Sequence, residues 1–112
     1  MNYEIVTTED FDRDVKSLSK KYYSFLDDLE NFKKNLLKNP KMGEELGGNA
    51  RKVRMAIASK NKGKRGGARV ITCNVLISIE STDIYLLTVY DKGERDSISE
   101  KEIEILKRRN GL

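Results

Sequence analysis

Apolar residues return at helical spacing in two stretches of the N-terminal half. Phe11, Val15 and Leu18 give a short amphipathic helix over residues 8–18, with Thr7 and Asp10 forming a capping-box pattern at its start. A second stripe is longer. Tyr22, Phe25, Leu26, Leu29, Phe32, Leu36 and Leu37 share one face, Asp27, Asp28, Glu30, Lys33 and Lys34 the other, and Asn39-Pro40 ends the run because proline cannot continue a helix. Before both helices, Tyr3 to Thr7 alternates and is rich in strand formers.

After Gly43, Gly47 and Gly48, read as a loop, the period changes from 3.6 to 2. Arg51, Val53, Met55 and Ile57 alternate with Lys52, Arg54, Ala56 and Ala58, so a strand with one buried face leaves Lys52 and Arg54 together on the open face. Ala68 to Ile79 is β-branched and almost continuously apolar, as in a central strand. Ser81-Thr82-Asp83 reads as a turn and Ile84 to Tyr90 as the next strand. Ser99 and Glu102 form a capping box with Ile98 and Ile103 as its hydrophobic staple, and Asn110-Gly111 closes this last helix. The expected order is β-α-α-β-β-β-α. Residues 1–112 then make one α+β domain, with a small, mainly antiparallel sheet and helices packed on one face.

Charge changes this picture by concentrating it. From Leu46 to Ile79 there is no acidic residue, yet the segment carries Arg51, Lys52, Arg54, Lys60, Lys62, Lys64, Arg65 and Arg69. With these eight cations and a chain total of +4, everything outside the segment sums to −4. Such a field marks a phosphate-rich partner. The middle of the segment is glycine-rich, and glycine lets backbone N–H groups approach a polyanion. The plainer alternative is a solvated basic hairpin.

The single Cys73 lies within an apolar strand pattern and reads as a small buried side chain. Histidine is absent, which excludes zinc sites built on His, Ser-His-Asp triads and Cys-His pairs. Any catalysis rests on Lys, Arg, Tyr or carboxylates. The apolar runs are too short to span a membrane, and Met1 to Glu4 lacks the character of a secretory leader, so a cytoplasmic protein is expected.

Three strings carry a likeness to a known family: Arg51-Lys52-Val53-Arg54; Lys62-Gly63-Lys64-Arg65-Gly66-Gly67-Ala68-Arg69-Val70-Ile71; and Tyr85-Leu86-Leu87-Thr88-Val89-Tyr90-Asp91-Lys92. Together they resemble the HigB branch of the RelE/ParE toxin superfamily over nearly the whole chain. The resemblance implies a RelE-like fold and the toxin of a type II toxin–antitoxin module. It also implies a cognate antitoxin, HigA-like with a helix-turn-helix DNA-binding fold, and cleavage of mRNA in the ribosomal A site.

Cleavage of that kind needs neither metal nor cofactor. The ribose 2′-OH attacks the adjacent phosphate, and the enzyme aligns the attack, stabilises charge on the phosphoryl oxygens and moves two protons. By resemblance, Arg69 is the first phosphate ligand and Arg54 the second. Lys62, Lys64 and Lys92 are candidates for proton transfer or phosphate contact, since a lysine among cations has its charged form disfavoured. Tyr90 is a stacking or proton-transfer group. Arg51, Lys52, Lys60 and Arg65 are expected to contact RNA or the ribosome. Gly93 stands where the RelE branch has an arginine, which shifts weight onto Arg54 and the loop from Lys62 to Arg69. Two other functions share these features: gyrase inhibition of the ParE type, and non-catalytic RNA binding.

Overall fold

In the computed structural model, which describes residues 1–60, 63 and 65–112, the chain forms a small α+β domain with one five-stranded sheet. The elements run β1 (Asn2–Thr7), α1 (Glu9–Lys21), α2 (Phe25–Lys38), β2 (Glu44–Gly47), β3 (Ala50–Met55), a 3₁₀ turn (Ala58–Lys60), β4 (Ala68–Ser78), β5 (Ser81–Asp91) and α3 (Glu100–Arg109). In space the strands lie β1-β5-β4-β3-β2, with β1 parallel to β5 and every other pair antiparallel. The expected class holds. Among the described residues no helix is long and apolar enough to cross a membrane.

The order contains one strand more than expected. Glu44–Gly47 pairs back on β3 with Gly47 opposite Ala50, so Gly48 and Asn49 make a two-residue hairpin loop, each at positive φ (56° and 66°). Turns of that handedness match the twist of the flanking strands and favour Gly and Asn, which is why this stretch folds as a hairpin rather than a loop. The turn placed at Ser81-Thr82-Asp83 lies earlier, at Ile79-Glu80. Ser81, Thr82 and Asp83 are drawn into β5 because β1 pairs with them through Asn2, Tyr3 and Glu4.

The helix boundaries also move. Thr7 is still in β1, opposite Leu86, and the N-cap is Thr8, whose hydroxyl oxygen accepts from Phe11 N at 3.2 Å. The same hydroxyl donates toward the Leu86 carbonyl at 3.0 Å, which fastens the start of α1 to β5. α1 continues to Lys21, and Tyr22, placed in the α2 stripe by its spacing, instead caps α1 in an extended conformation. Phe25, Leu29, Phe32 and Leu36 are the buried stripe of α2. Leu26 and Leu37 stand out at 57% and 44% exposure, because one helix face meets only one sheet.

α1 and α2 share a face of the sheet, where Phe11, Leu18, Phe25 and Phe32 pack on Val53, Met55, Val70, Ile84, Leu86 and Val89. Strand residues of the other parity form a second cluster: Ala50, Ile71, Cys73, Leu87 and Tyr90 meet Ile103 of α3. The α3 capping box forms as read, with the Ser99 hydroxyl accepting from Glu102 N at 3.1 Å. Where β1 stops, Asp14 of α1 takes over the open edge of β5 by accepting from Val89 N and the Thr88 hydroxyl.

A buried carboxylate ties the layers together. Asp91, at the end of β5, accepts from Lys60 Nζ at 2.6 Å, from Gly93 N at 2.9 Å, and from the Tyr22 hydroxyl, with Lys21 Nζ at 3.4 Å. Burial alone raises its pKa, but the Lys60 and Tyr22 hydrogen bonds and the Gly93 amide outweigh that and hold the carboxyl well below the usual range. Since the folded pKa lies below the unfolded value, near ~3.9, this contribution is present above that value and is lost as pH falls toward the folded one. Replacing Asp91 by Asn leaves Lys60 facing an amide, so urea unfolding at neutral pH should show a loss of about 3–5 kcal/mol. The same variant should lose less stability than the parent between about pH 5 and pH 2. Parallel pH curves for the two proteins would mean that Asp91 is not the carboxylate that matters.

Candidate nucleic-acid interface

β3 and β4 pair with Arg54 directly opposite Arg69, and β4 and β5 pair with Arg69 directly opposite Tyr90. Cross-strand partners point to the same side, so these three side chains form one row across three strands. A bulge makes the row. Ile71 faces Thr88 while Thr72 faces Leu86, so Leu87 is an extra residue in β5. Continuing the pairing beyond Leu86 without it would bring Val89 opposite Arg69. The inserted residue puts Tyr90 there instead.

Arg54 and Arg69 of this row line an open cleft of about 850 Å³ together with Lys52, Lys92, Asp96 and Ser97, with Met42–Glu44 along its rim, while Tyr90 stays outside the lining. Two glycines permit this shape. Gly43 lies at φ +90°, and a Cβ there would stand 2.5 Å from the Lys52 carbonyl, so only glycine lets the rim lie against β3. A Cβ on Gly67 would stand 2.2 Å from the Met55 carbonyl. Gly67 in turn accepts from Lys92 N at 3.0 Å, which draws the end of β3, the start of β4 and Lys92 together.

Arg69 is only 6% exposed, and its guanidinium donates to the Ala68 carbonyl at 3.1 Å and the Arg65 carbonyl at 3.0 Å. Burial, and then the Arg54 charge across the strand pair, lower its pKa, but a guanidinium starts high enough to stay cationic. Tyr90 is buried beside it. Among the described residues its hydroxyl has no hydrogen-bond partner, and the Arg95 guanidinium sits 5.5 Å from the ring centroid. Burial pushes the phenol pKa up, against the pull of Arg69 and Arg95, so Tyr90 keeps its proton at neutral pH.

The other expected residues divide. Lys52 and Arg54 share the open face as the alternation implied, with Lys52 3.4 Å from Glu44. Lys92 joins them and pairs with Asp96, whose pKa is lowered by Lys92 first and then by Lys52 and Arg69. Arg51 does not join. It falls on the Val53 side of β3 and donates to the Met42 carbonyl at 3.2 Å. Lys60 is also elsewhere, held by Asp91, which follows Tyr90 and so points to the opposite side of β5. Arg65 is exposed and contributes its carbonyl to Arg69. Lys62 and Lys64 lie outside the described residues.

Asp96, Ser97 and Arg95 were not singled out by the sequence. They follow β5 in a stretch without periodicity, and only the acid-base alternation of Glu94-Arg95-Asp96 hinted at ion pairing. Among the described residues no three His, Cys, Asp or Glu side chains converge as metal ligands would. What the cleft can do is hold a phosphate, because facing guanidiniums present several directed donors to one anion. No known family model matches the chain.

Facing cations also work against the fold. Arg54→Gln should therefore leave the free protein as stable as the parent, or more stable by about 0.2–1 kcal/mol at low ionic strength. Replacing chloride by phosphate at matched ionic strength should raise the Tm of the parent more than that of the variant. Equal increments in the two melting curves would remove Arg54 from any phosphate site.

Proposed function

We propose that the chain is the toxin of a type II toxin–antitoxin module: a cytoplasmic, ribosome-dependent mRNA endoribonuclease that stops translation. The observation that supports this best is the facing pair Arg54 and Arg69 beside Lys92 in an open cleft, with Tyr90 buried behind Arg69 in the same cross-strand row. It gathers, from three strings separated in sequence, the residues on which the resemblance to the HigB branch rests.

In this reading the ribose 2′-OH attacks the adjacent phosphorus, the bond to the 5′-oxygen breaks, and the products are a 2′,3′-cyclic phosphate and a 5′-OH end. Arg69 and Arg54 hold the phosphoryl oxygens as charge builds on them, a role in which one directed donor is worth roughly 10²–10³ in rate. Tyr90 faces Arg69 with its hydroxyl buried and outside the lining of the cleft, so the proton for the departing oxygen comes from the cationic side chains of the cleft. The group that accepts the 2′-OH proton is drawn from Lys92 and the two lysines at 62 and 64. Burial around Arg69 keeps its donors directed before substrate arrives.

The use of the aromatic side chains supports dependence on the ribosome. An independent ribonuclease grips single-stranded RNA on exposed rings. Here Phe11, Phe25 and Phe32 are core, Tyr3 and Tyr22 pack against it, and Tyr85 packs on the second cluster. Tyr23, 92% exposed, sits at the α1–α2 junction on the other side of the sheet from the row. The cleft thus offers phosphate contacts with little base readout, which suits a messenger already held in the decoding site. The same positive face suits an acidic segment of a HigA-like antitoxin.

The test is cleavage of a programmed ribosome with analysis of the RNA ends. We expect cutting of ribosome-bound message with cyclic phosphate and 5′-OH ends, little cutting of naked mRNA, and a drop of about 10²–10³-fold for Arg69→Lys. Because Arg69 is buried, Lys rather than Ala is the informative replacement. RNA bound without product would point to a binding module, and inhibition of gyrase supercoiling in place of cleavage to a ParE-type activity. Either result overturns the ribonuclease assignment.

A further inference from the structure

The cleft contains its own anions. Lys52 has Glu44 at 3.4 Å, and Lys92 has Asp96. The two pairs differ in how they are held. Glu44 belongs to β2, whereas Asp96 sits in the connection between β5 and α3, its side chain 90% exposed. The backbone around Asp96 is nonetheless fixed. Lys92 N donates to the Gly67 carbonyl, and Arg95 Nε donates to the Ser97 carbonyl at 2.9 Å. Arg95 is also paired with Glu102 in the first turn of α3. The Asp96 carboxylate can therefore leave Lys92 by rotating its side chain alone, without moving the connection. Exposed ion pairs of this kind contribute little, so an incoming anion displaces one at small cost.

Resting on the reading of the cleft as a phosphate site, we infer that Asp96 is its built-in counter-ion: the carboxylate occupies Lys92 in the free protein, and a phosphate of bound single-stranded RNA takes its place. Lys92 first, and then Lys52 and Arg69, hold the Asp96 carboxyl below its ordinary pKa. The arrangement lowers the cost of assembling cations on one face. It also sets a threshold for binding, because an anion that engages only Lys92 gains nothing over Asp96. A phosphodiester that reaches the Arg54 and Arg69 guanidiniums gains their directed donors as well. Asp96 is thus a specificity-determining residue that favours extended polyanions over small ones.

The experiment is fluorescence-anisotropy titration of a short single-stranded oligonucleotide, 2′-deoxy at every position that could be cut, over a series of salt concentrations. Asp96→Asn should bind about two- to fivefold more tightly than the parent at low salt. Its plot of log K against log salt should be steeper by about 0.7, the increment for one more neutralised phosphate on a single strand. Asp96→Glu should behave as the parent, and in a Lys92→Gln background the Asn replacement should give no gain. Binding by the parent that is unchanged or weakened in Asp96→Asn overturns the counter-ion while leaving the cleft intact. Absence of salt-dependent binding in both proteins overturns the phosphate site and the counter-ion with it.

Discussion

Asp91 holds a negative charge where almost no solvent reaches it, and the arrangement of the cleft follows from how that charge is satisfied. Lys60 comes from the turn that leads into the basic loop, Tyr22 from the junction of the two long helices, and the Gly93 amide from the connection toward α3. One carboxylate therefore fixes both chain segments that flank the cleft, from the face opposite to it. A second set of bonds closes the same corner, where Ser24 bonds to Ser59 at 2.9 Å and Asp28 accepts from Ala58 N at 3.0 Å. The corner places the segments and the cleft uses them.

Local choices along β5 then decide which side chains meet. The extra residue at Leu87 changes the phase of the strand, so Tyr90 falls on the α3 side of the sheet beside Arg69 and Asp91 on the α1 side with Lys60. The bulge thus sorts two neighbouring polar residues to opposite sides of the sheet, Tyr90 beside Arg69 and Asp91 to Lys60. Gly67 and Gly43 do comparable work in the backbone by permitting approaches that any Cβ would block. The repulsion between Arg54 and Arg69 is the reverse side of this arrangement. The Asp96 carboxylate at the rim offsets part of it through its attraction for Arg69.

Much of this was legible where the signal is local. The Ser99 capping box and the alternation that puts Lys52 and Arg54 on one face depend on spacing alone and stand as read, and of the seven-residue stripe read for α2 Phe25, Leu29, Phe32 and Leu36 are buried. The Gly48-Asn49 hairpin reads as loop in the sequence, because Gly43 and Gly47 nearby hide two residues suited to the positive φ of a tight turn. What spacing does not carry is partnership across the chain. Lys60 belongs to Asp91 because a fold brings positions 31 apart in sequence to 2.6 Å, and nothing in the basic run distinguishes it from its neighbours. Asp96 and the bulge at Leu87 are tertiary facts of the same kind. Arg51 differs: the alternation already sets it on the Val53 side, and only composition groups it with Lys52 as an RNA contact.

The central claim is that Arg54 and Arg69, rather than the abundant surface arginines, take the RNA phosphate. The most direct measurement follows the arginine Nε–Hε resonances while a 2′-deoxy-blocked RNA is added at fixed salt. The account predicts that Arg54 and Arg69 shift first and saturate together, with Arg13, Arg108 and Arg109 following only at high RNA excess. Early, parallel shifts of the surface arginines with Arg54 and Arg69 unmoved would contradict it.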